Sequence, residues 1–316
     1  MFHFIHTVAF ARRVVPSRVS YAGLKEFFAF EDVPMMTRLA YLANYLLERD
    51  IAGRALYKLP DDIFLVAYPG SGGQWLRRLV VNLMNPWELL TGTNDICCLP
   101  DLYHLSQRGF AKINRPRVIF SHECFDAGYP RAAYLVRDPR DVAVSVYEQR
   151  RQGGSVERSL SLEQFVSNCF MRTDEYQGGW SEEFSGSIEA NQSFAYRCRL
   201  KDEFLGTPAS WGENVLSWMG ARGRDPKALL VLRYEDLYCD PQGELGRITS
   251  ILPIDGSPER IQSAVQAARS QATPEPPGKW RTMLPEASVR AIESVWGPVM
   301  TEVGYALESA KVEKYH

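Results

Sequence analysis

The chain has 316 residues, 45% of them hydrophobic and 23% charged, enough to bury a substantial core in one large domain or two small ones. Its formal net charge of -2 supplies no global basic field for nucleic acid, although arginines gather locally at Arg131, Arg137, Arg140, Arg150 and Arg151. No apolar run approaches the ~20 residues of a membrane span, and six cysteines (Cys97, Cys98, Cys124, Cys169, Cys198, Cys239) without a C-x-x-C pair speak for reduced thiols in a cytoplasmic compartment rather than structural zinc.

The first twenty residues, MFHFIHTVAFARRVVPSRVS, are apolar and basic. His3, His6 and Arg12-Arg13 interrupt the unbroken apolar stretch of a secretory signal. Residues 1–57 are therefore read as a helical segment packed on the domain, with a peripheral membrane contact as the alternative. An amphipathic helix is predicted over 34–57, and the main domain over 58–316.

Four short apolar stretches then read as buried strands: 63–68, 118–121, 132–137 and 228–234. Helical patterns at 73–84, 139–151, 161–171, 210–220 and 241–251 separate most of them. The alternation predicts an α/β fold, a single domain with a central parallel β-sheet flanked by helices. Right-handed crossovers place the C-terminal strand ends and their loops along one edge. Residues 172–208 are polar, rich in Gly and Ser and without period, which predicts a lid or acceptor-binding insertion rather than a decorative loop. Residues 257–305 read as two helices split by the Pro-rich ATPEPPGKWRTMLP.

The chemistry begins at DDIFLVAYPGSGGQWLRRLVVNLM, residues 61–84. An apolar strand stops at a Gly-rich turn, Pro69-Gly70-Ser71-Gly72-Gly73, and the chain restarts as a helix. Such a turn aims backbone N–H groups and the positive end of the helix dipole at one point, a cradle for an anion. The Walker pattern GxxxxGK[ST] is absent, so a kinase of a small metabolite lacks both its loop lysine and its magnesium-binding hydroxyl.

The second stretch is AYLVRDPRDVAVSVYEQRR, residues 133–151. A strand ends at Arg137, Asp138 is placed to cap a helix, and Pro139 suits its first position. Arg137 with Ser145 can grip a terminal phosphate. The alternative for Arg137 is a surface ion pair with Asp138 or Asp141.

Together these stretches resemble the sulfotransferase family, the enzymes that use 3′-phosphoadenosine 5′-phosphosulfate (PAPS). The family's first loop reads approximately YPKSGTTW, against YPGSGGQW at 68–75 here. Its second motif reads approximately YLVRNPKDVAVS, against YLVRDPRDVAVS at 134–145. VLRYEDLYCDPQGELGRI (231–248), TPASWGENVLSWM (207–219) and GKWRTMLPEASVRAIESVWGPVMTEVGY (278–305) fit further family segments, so that the resemblance runs in order from about residue 60 to 305.

The resemblance implies a P-loop NTPase-like fold and a PAPS donor leaving as 3′-phosphoadenosine 5′-phosphate (PAP). It implies no metal, and an acceptor that is a small hydroxyl-bearing molecule; a homodimer is left open. Gly70, Ser71, Gly72, Gly73 and Gln74 would hold the 5′-phosphosulfate. Trp75 would stack on adenine, unless it is a core residue. Arg137 and Ser145 would bind the 3′-phosphate. His122, which follows the strand in RVIFSHE, would be the general base; Glu123 beside it is the other candidate, as orienter or base. Trp87, Leu89, Tyr103, Trp180 and Phe184 would form an apolar acceptor wall for a small organic molecule or glycoside, unless they are ordinary core residues.

The chain departs from the family pattern in three places. Gly70 stands where the loop lysine is usual, and Phe120 where many members carry a second lysine. Thr273-Pro274-Glu275 replaces an Arg-Lys-Gly step that also binds the 3′-phosphate, leaving Arg269 and Lys279 as the nearest basic residues. Arg77, Arg78 or a residue of the insertion would substitute for the lost lysines, or backbone amides would suffice, or the protein binds nucleotide with little catalysis.

Overall fold

The structure, a computed structural model, describes residues 56, 58–84, 99–102, 107–125, 128–152, 159–171, 210–221 and 228–309. The expected N-terminal helix, the 172–208 insertion and the acceptor-wall aromatics Trp87, Leu89, Tyr103, Trp180 and Phe184 lie outside them.

Strand β1 (Ile63–Ala67) leads through the Gly-rich turn into helix α1 (Gly73–Met84), and the short α2 (Gln107–Ala111) precedes β2 (Val118–Ser121). Strand β3 (Ala132–Val136) enters α3 (Pro139–Gln152), followed by α4 (Leu162–Phe165) and α5 (Trp211–Ala221). Strand β4 (Leu229–Arg233) runs straight into α6 (Tyr234–Cys239), then α7 (Pro241–Thr249), α8 (Pro258–Gln271), α9 (Trp280–Met283) and α10 (Glu286–Glu302). The four strands form one sheet in the order β2-β1-β3-β4 with every pairing parallel. The fold is the α/β one that the alternating pattern predicts. One predicted helix differs: 161–171 opens with a capping box between Ser161 and Gln164, but after one α turn the backbone widens into a π-helix over Val166–Phe170.

Every residue of β1, β2 and β3 is buried on one of two faces, because successive side chains alternate, whereas in β4 only Leu232 is fully buried. Ile63, Leu65, Ala67, Val118, Phe120, Ala133 and Leu135 pack with Leu76, Leu79 and Val80 of α1, Leu245 of α7 and Val265 of α8. Phe64, Val66, Ile119, Tyr134 and Val136 pack on the other face with Val142 of α3, Trp211 and Trp218 of α5, and Ile292 and Trp296 of α10. Parallel strands covered on both faces have no solvated side, which is why they read as unbroken apolar runs.

This topology places the site. Ala67 of β1 pairs with Leu135 of β3, and Val66 with Ser121 of β2, so three strand exits lie side by side on one edge. The turn after β1, His122 after β2 and Arg137 after β3 share that edge.

Candidate active site

Two left-handed glycines shape the turn after β1. Gly70 has φ 79° and Gly72 φ 86°, a region that side chains with a Cβ seldom adopt. A Cβ on Gly72 would lie 2.2 Å from the Tyr234 ring, and one on Gly70 2.7 Å from the Val146 side chain. The Ser71 amide closes the turn by donating to the Tyr68 carbonyl at 2.9 Å, and Trp75 N–H donates to the Gly72 carbonyl at 3.0 Å. Gly73 and Gln74 occupy the first two positions of α1, where amides have no acceptor within their own helix. Gln74 is exposed there. The Ser71 hydroxyl is buried with no hydrogen-bond partner among the described residues. A buried unpaired hydroxyl costs free energy unless a ligand or water satisfies it.

Trp75 belongs to the core cluster on the α1 face, and its indole N–H is buried without a partner among the described residues.

Arg137 completes the other end. It is 1% exposed, so the surface ion pair with Asp138 or Asp141 is not what forms. Asp138 instead caps α3, accepting from the Arg140 amide at 2.9 Å, and binds the Arg140 guanidinium. Arg137 lies over the Tyr234 ring at 4.3 Å. Its Nη1 donates to the Gly70 carbonyl at 3.0 Å and to Glu275 Oε2 at 3.1 Å. Its Nε and Nη2 are buried with no partner among the described residues. Those two nitrogens form one edge of the guanidinium, the fork that fits two oxygens of a phosphate or sulfate. Ser145 lies two turns into α3, buried, and accepts weakly from Gln149 at 3.5 Å.

His122 is 6% exposed and sits beside the exit of β1. Its Nδ1 lies 2.6 Å from the Ala67 carbonyl oxygen. A carbonyl can only accept, so Nδ1 carries a proton, and in the neutral ring the lone pair is then on Nε2. The Phe120 ring meets the imidazole edge-on at 4.9 Å. Behind it, Asn214 of α5 donates to the His122 carbonyl at 3.3 Å, and the Trp218 indole donates to the Glu123 carbonyl at 3.0 Å. The His122–Glu123 segment is thus held by α5 as well as by the sheet.

The structure also locates the basic residues proposed as substitutes. Arg77 is buried, its Nη2 donating to the Leu99 carbonyl at 2.5 Å, and Arg78 reaches Gln271 at 3.1 Å. Neither is directed to the turn by these bonds, so their replacing the lost lysine is not supported. Phe120 fills the second lysine's place as a fully buried ring packed beneath Gly73. Arg269 is exposed on the last turn of α8, with no hydrogen bond to the turn or Arg137 among the described residues. Lys279, by contrast, ion-pairs with Glu148 and, at 3.1 Å, with Glu275.

Two residues that the motif reading does not single out join the parts. The Tyr234 ring supports both Gly72 and Arg137, and its hydroxyl donates to the Glu275 carbonyl at 2.5 Å. Burial pushes that phenol up to about 12 against the pull of Arg137, so it stays a donor. Asp141 accepts from the Gly278 amide at 2.6 Å and the Trp280 amide at 3.0 Å, fixing the segment that carries Glu275 and Lys279.

Taken together, the fold and site define an α/β protein with a glycine-rich strand-to-helix turn, a guanidinium fork and a histidine on one sheet edge. Residues 60–302 match the family model described as "Sulfotransferase domain", and the chain belongs to the sulfotransferase family, whose enzymes draw on PAPS. Human "Sulfotransferase 2B1" is 24% identical over 264 residues, covering 76% of this chain and 58% of the relative, so the match spans little over half of that protein. The "3-beta-hydroxysteroid sulfotransferase" of Cavia porcellus is 23% identical over 220 residues, 66% of this chain and 75% of the relative. Among solved structures, mouse sulfotransferase SULT7A1 complexed with PAP shares the fold with a TM-score of 0.55 at 19% identity, covering 83% of this chain and 92% of that one. Retinol dehydratase in complex with androsterone and PAP gives a TM-score of 0.57 at 17% identity, with 86% and 88% covered.

Among the described residues, no group of three or more His, Cys, Asp or Glu is arranged to hold a metal, and no helix is long and apolar enough to cross a membrane. Neither Cys124 nor Cys239 is joined in a disulfide.

Proposed function

We propose that this protein transfers a sulfuryl group from PAPS to a hydroxyl of a small organic or glycosidic acceptor, with His122 as general base. The observation that carries the reading is the contact of Arg137 with Gly70 on the sheet edge that also holds His122. It supports reading the turn and the guanidinium as holding two anionic groups of one nucleotide.

In this reading the amides of Gly72, Gly73 and Gln74 and the Ser71 hydroxyl bind the 5′-phosphosulfate, and Trp75 flanks the adenine. The Nε/Nη2 edge of Arg137 and the Ser145 hydroxyl take the 3′-phosphate, with Lys279 and Arg269 as the nearest further cations. His122 Nε2 removes the acceptor proton as the acceptor oxygen attacks sulfur in line. The bond from sulfur to the phosphate oxygen breaks, and PAP leaves with the negative charge on that oxygen. Sulfuryl transfer, like phosphoryl transfer, passes through a loose transition state in which aligned groups and fixed dipoles do most of the work. With Gly70 and Phe120 in place of two cations, main-chain amides supply the stabilisation here.

The names of similar proteins point to hydroxysteroid acceptors, a class consistent with a small hydroxyl-bearing molecule. Two measurements test the reading. Calorimetric titration should show PAP bound in preference to ATP. Turnover of a hydroxyl-acceptor panel should fall by about 10²–10⁴ in kcat for His122→Ala. Unchanged turnover in that variant would remove His122 as the base. A second reading, a nucleotide binder with little catalysis, is favoured by the lost lysines, and is the outcome if PAP binds but no acceptor turns over.

A further inference from the structure

We propose that Glu275 is a specificity-determining residue of the Arg137 anion site: its carboxylate stands in as a resident anion that a nucleotide's 3′-phosphate must displace or tolerate. The inference rests on the nucleotide reading given above and goes beyond it by saying how that site is tuned in this chain.

The geometry is specific. Glu275 Oε2 takes a hydrogen bond from Arg137 Nη1 at 3.1 Å, while its other oxygen takes one from Lys279 Nζ at 3.1 Å. Lys279 is bound in turn by Glu148. Asp141 lies near enough for the Arg137 charge to act on it. Two cations therefore face three carboxylates, and the site has no surplus of positive charge to offer a dianion among the described residues. Burial alone would raise the Glu275 pKa, yet Arg137 and Lys279 together hold it below its ordinary value, so the resident group is a carboxylate.

The backbone on either side is fixed. Tyr234 holds the Glu275 carbonyl, and Asp141 holds the Gly278 and Trp280 amides. Only the side chain is left to adjust. Lys279 provides the carboxylate with a partner to keep when Arg137 turns to the phosphate. Arg137 remains anchored through Gly70, with its Nε/Nη2 edge unpartnered among the described residues. A dianion at that edge stands close to the Glu275 charge, and although Glu275 is only partly buried, like charges on one guanidinium repel.

The test is calorimetric titration of PAP and of AMP, which lacks the 3′-phosphate, against the full chain and its Glu275→Gln variant at one ionic strength. Glu275→Gln should tighten PAP by about tenfold or more while AMP stays within about twofold, the asymmetry expected when one charge near a single phosphate is removed. Glu275→Ala should move the PAP-to-AMP ratio the same way, and adding Arg137→Ala to Glu275→Gln should erase the gain. If both Glu275 variants leave the ratio unchanged while Arg137→Ala weakens PAP, the proposal for Glu275 falls and the nucleotide site stands. If neither nucleotide binds the wild type or the variants, the nucleotide reading falls and this inference with it.

Discussion

Nη1 of Arg137 donates to the carbonyl oxygen of Gly70 at 3.0 Å, joining residues 67 apart in sequence. The bond exists because β1 and β3 are parallel neighbours whose ends coincide. Arg137→Lys keeps the charge but loses the planar fork, so it cannot offer a phosphate two parallel hydrogen bonds while it holds Gly70 and Glu275. PAP affinity should fall about ten- to a hundredfold. Titration of the variant checks this; affinity equal to wild type would show that charge alone suffices.

Gly72→Ala tests the turn itself. The left-handed φ and the Tyr234 ring 2.2 Å from the new Cβ both oppose the methyl group. The expected loss is about 2–4 kcal/mol, strain plus overpacking, read from urea unfolding with an unchanged slope. PAP binding should be weakened in the fraction that remains folded, because the amides of the turn are displaced.

Asn214→Ala tests how His122 is positioned. Asn214 is buried, accepts from the Tyr134 hydroxyl at 2.8 Å and donates to the His122 carbonyl at 3.3 Å. Its removal takes one hydrogen bond from each of two buried groups, at about 1–3 kcal/mol each. Turnover should drop more than PAP affinity does, because the contact bears on His122 and not on the turn. Equal losses in both would show that the effect is general.

Arg140 joins the start of α3 to the C-terminal region. It is buried, binds Asp138 at 2.6 Å and Glu293 at 2.7 Å, and stacks on Trp280 at 3.9 Å. Arg140→Met strands two buried carboxylates and should cost about 3–5 kcal/mol in chemical unfolding. The ratio of PAP to AMP affinity, in contrast, should hold.

Glu293 gives a pH signature. Burial alone would raise its pKa, but the Ser309 and Glu308 amides and Arg140 hold it below the ordinary 4.5. The folded state therefore binds this proton less readily than the unfolded chain does. Its contribution is complete above about pH 4.5 and is lost as pH falls through the lower folded value. The melting-temperature gap between wild type and Glu293→Gln should be constant from pH 7 to 5 and narrow below that. A gap that widens on acidification would reverse the sign.

The strands, their common edge and the two turns were legible in the sequence because each carries a local signature. Apolar runs marked β1 to β4, and glycines and a proline marked where chain direction changes. The cap at Asp138 was legible for the same reason. The partners of Arg137 were not: Glu275 lies 138 residues away and Tyr234 on another strand's exit, and no local period encodes such a meeting. Nor does periodicity tell how an arginine within a helix is used, and Arg77 serves the Leu99 carbonyl instead of the turn. The π-helix at 166–170 was missed because VSNCF has no residue that breaks an α pattern.

Asp141 grips the 278–280 stretch by its amides, not by its side chains. Anchorage of that kind is indifferent to which residues stand nearby, so positions 275 and 279 are free to change charge while the chain keeps its course. The loop beside Arg137 is thus a mount into which different side chains can be fitted, and the charge facing that arginine can be reset by a single codon without rebuilding the fold.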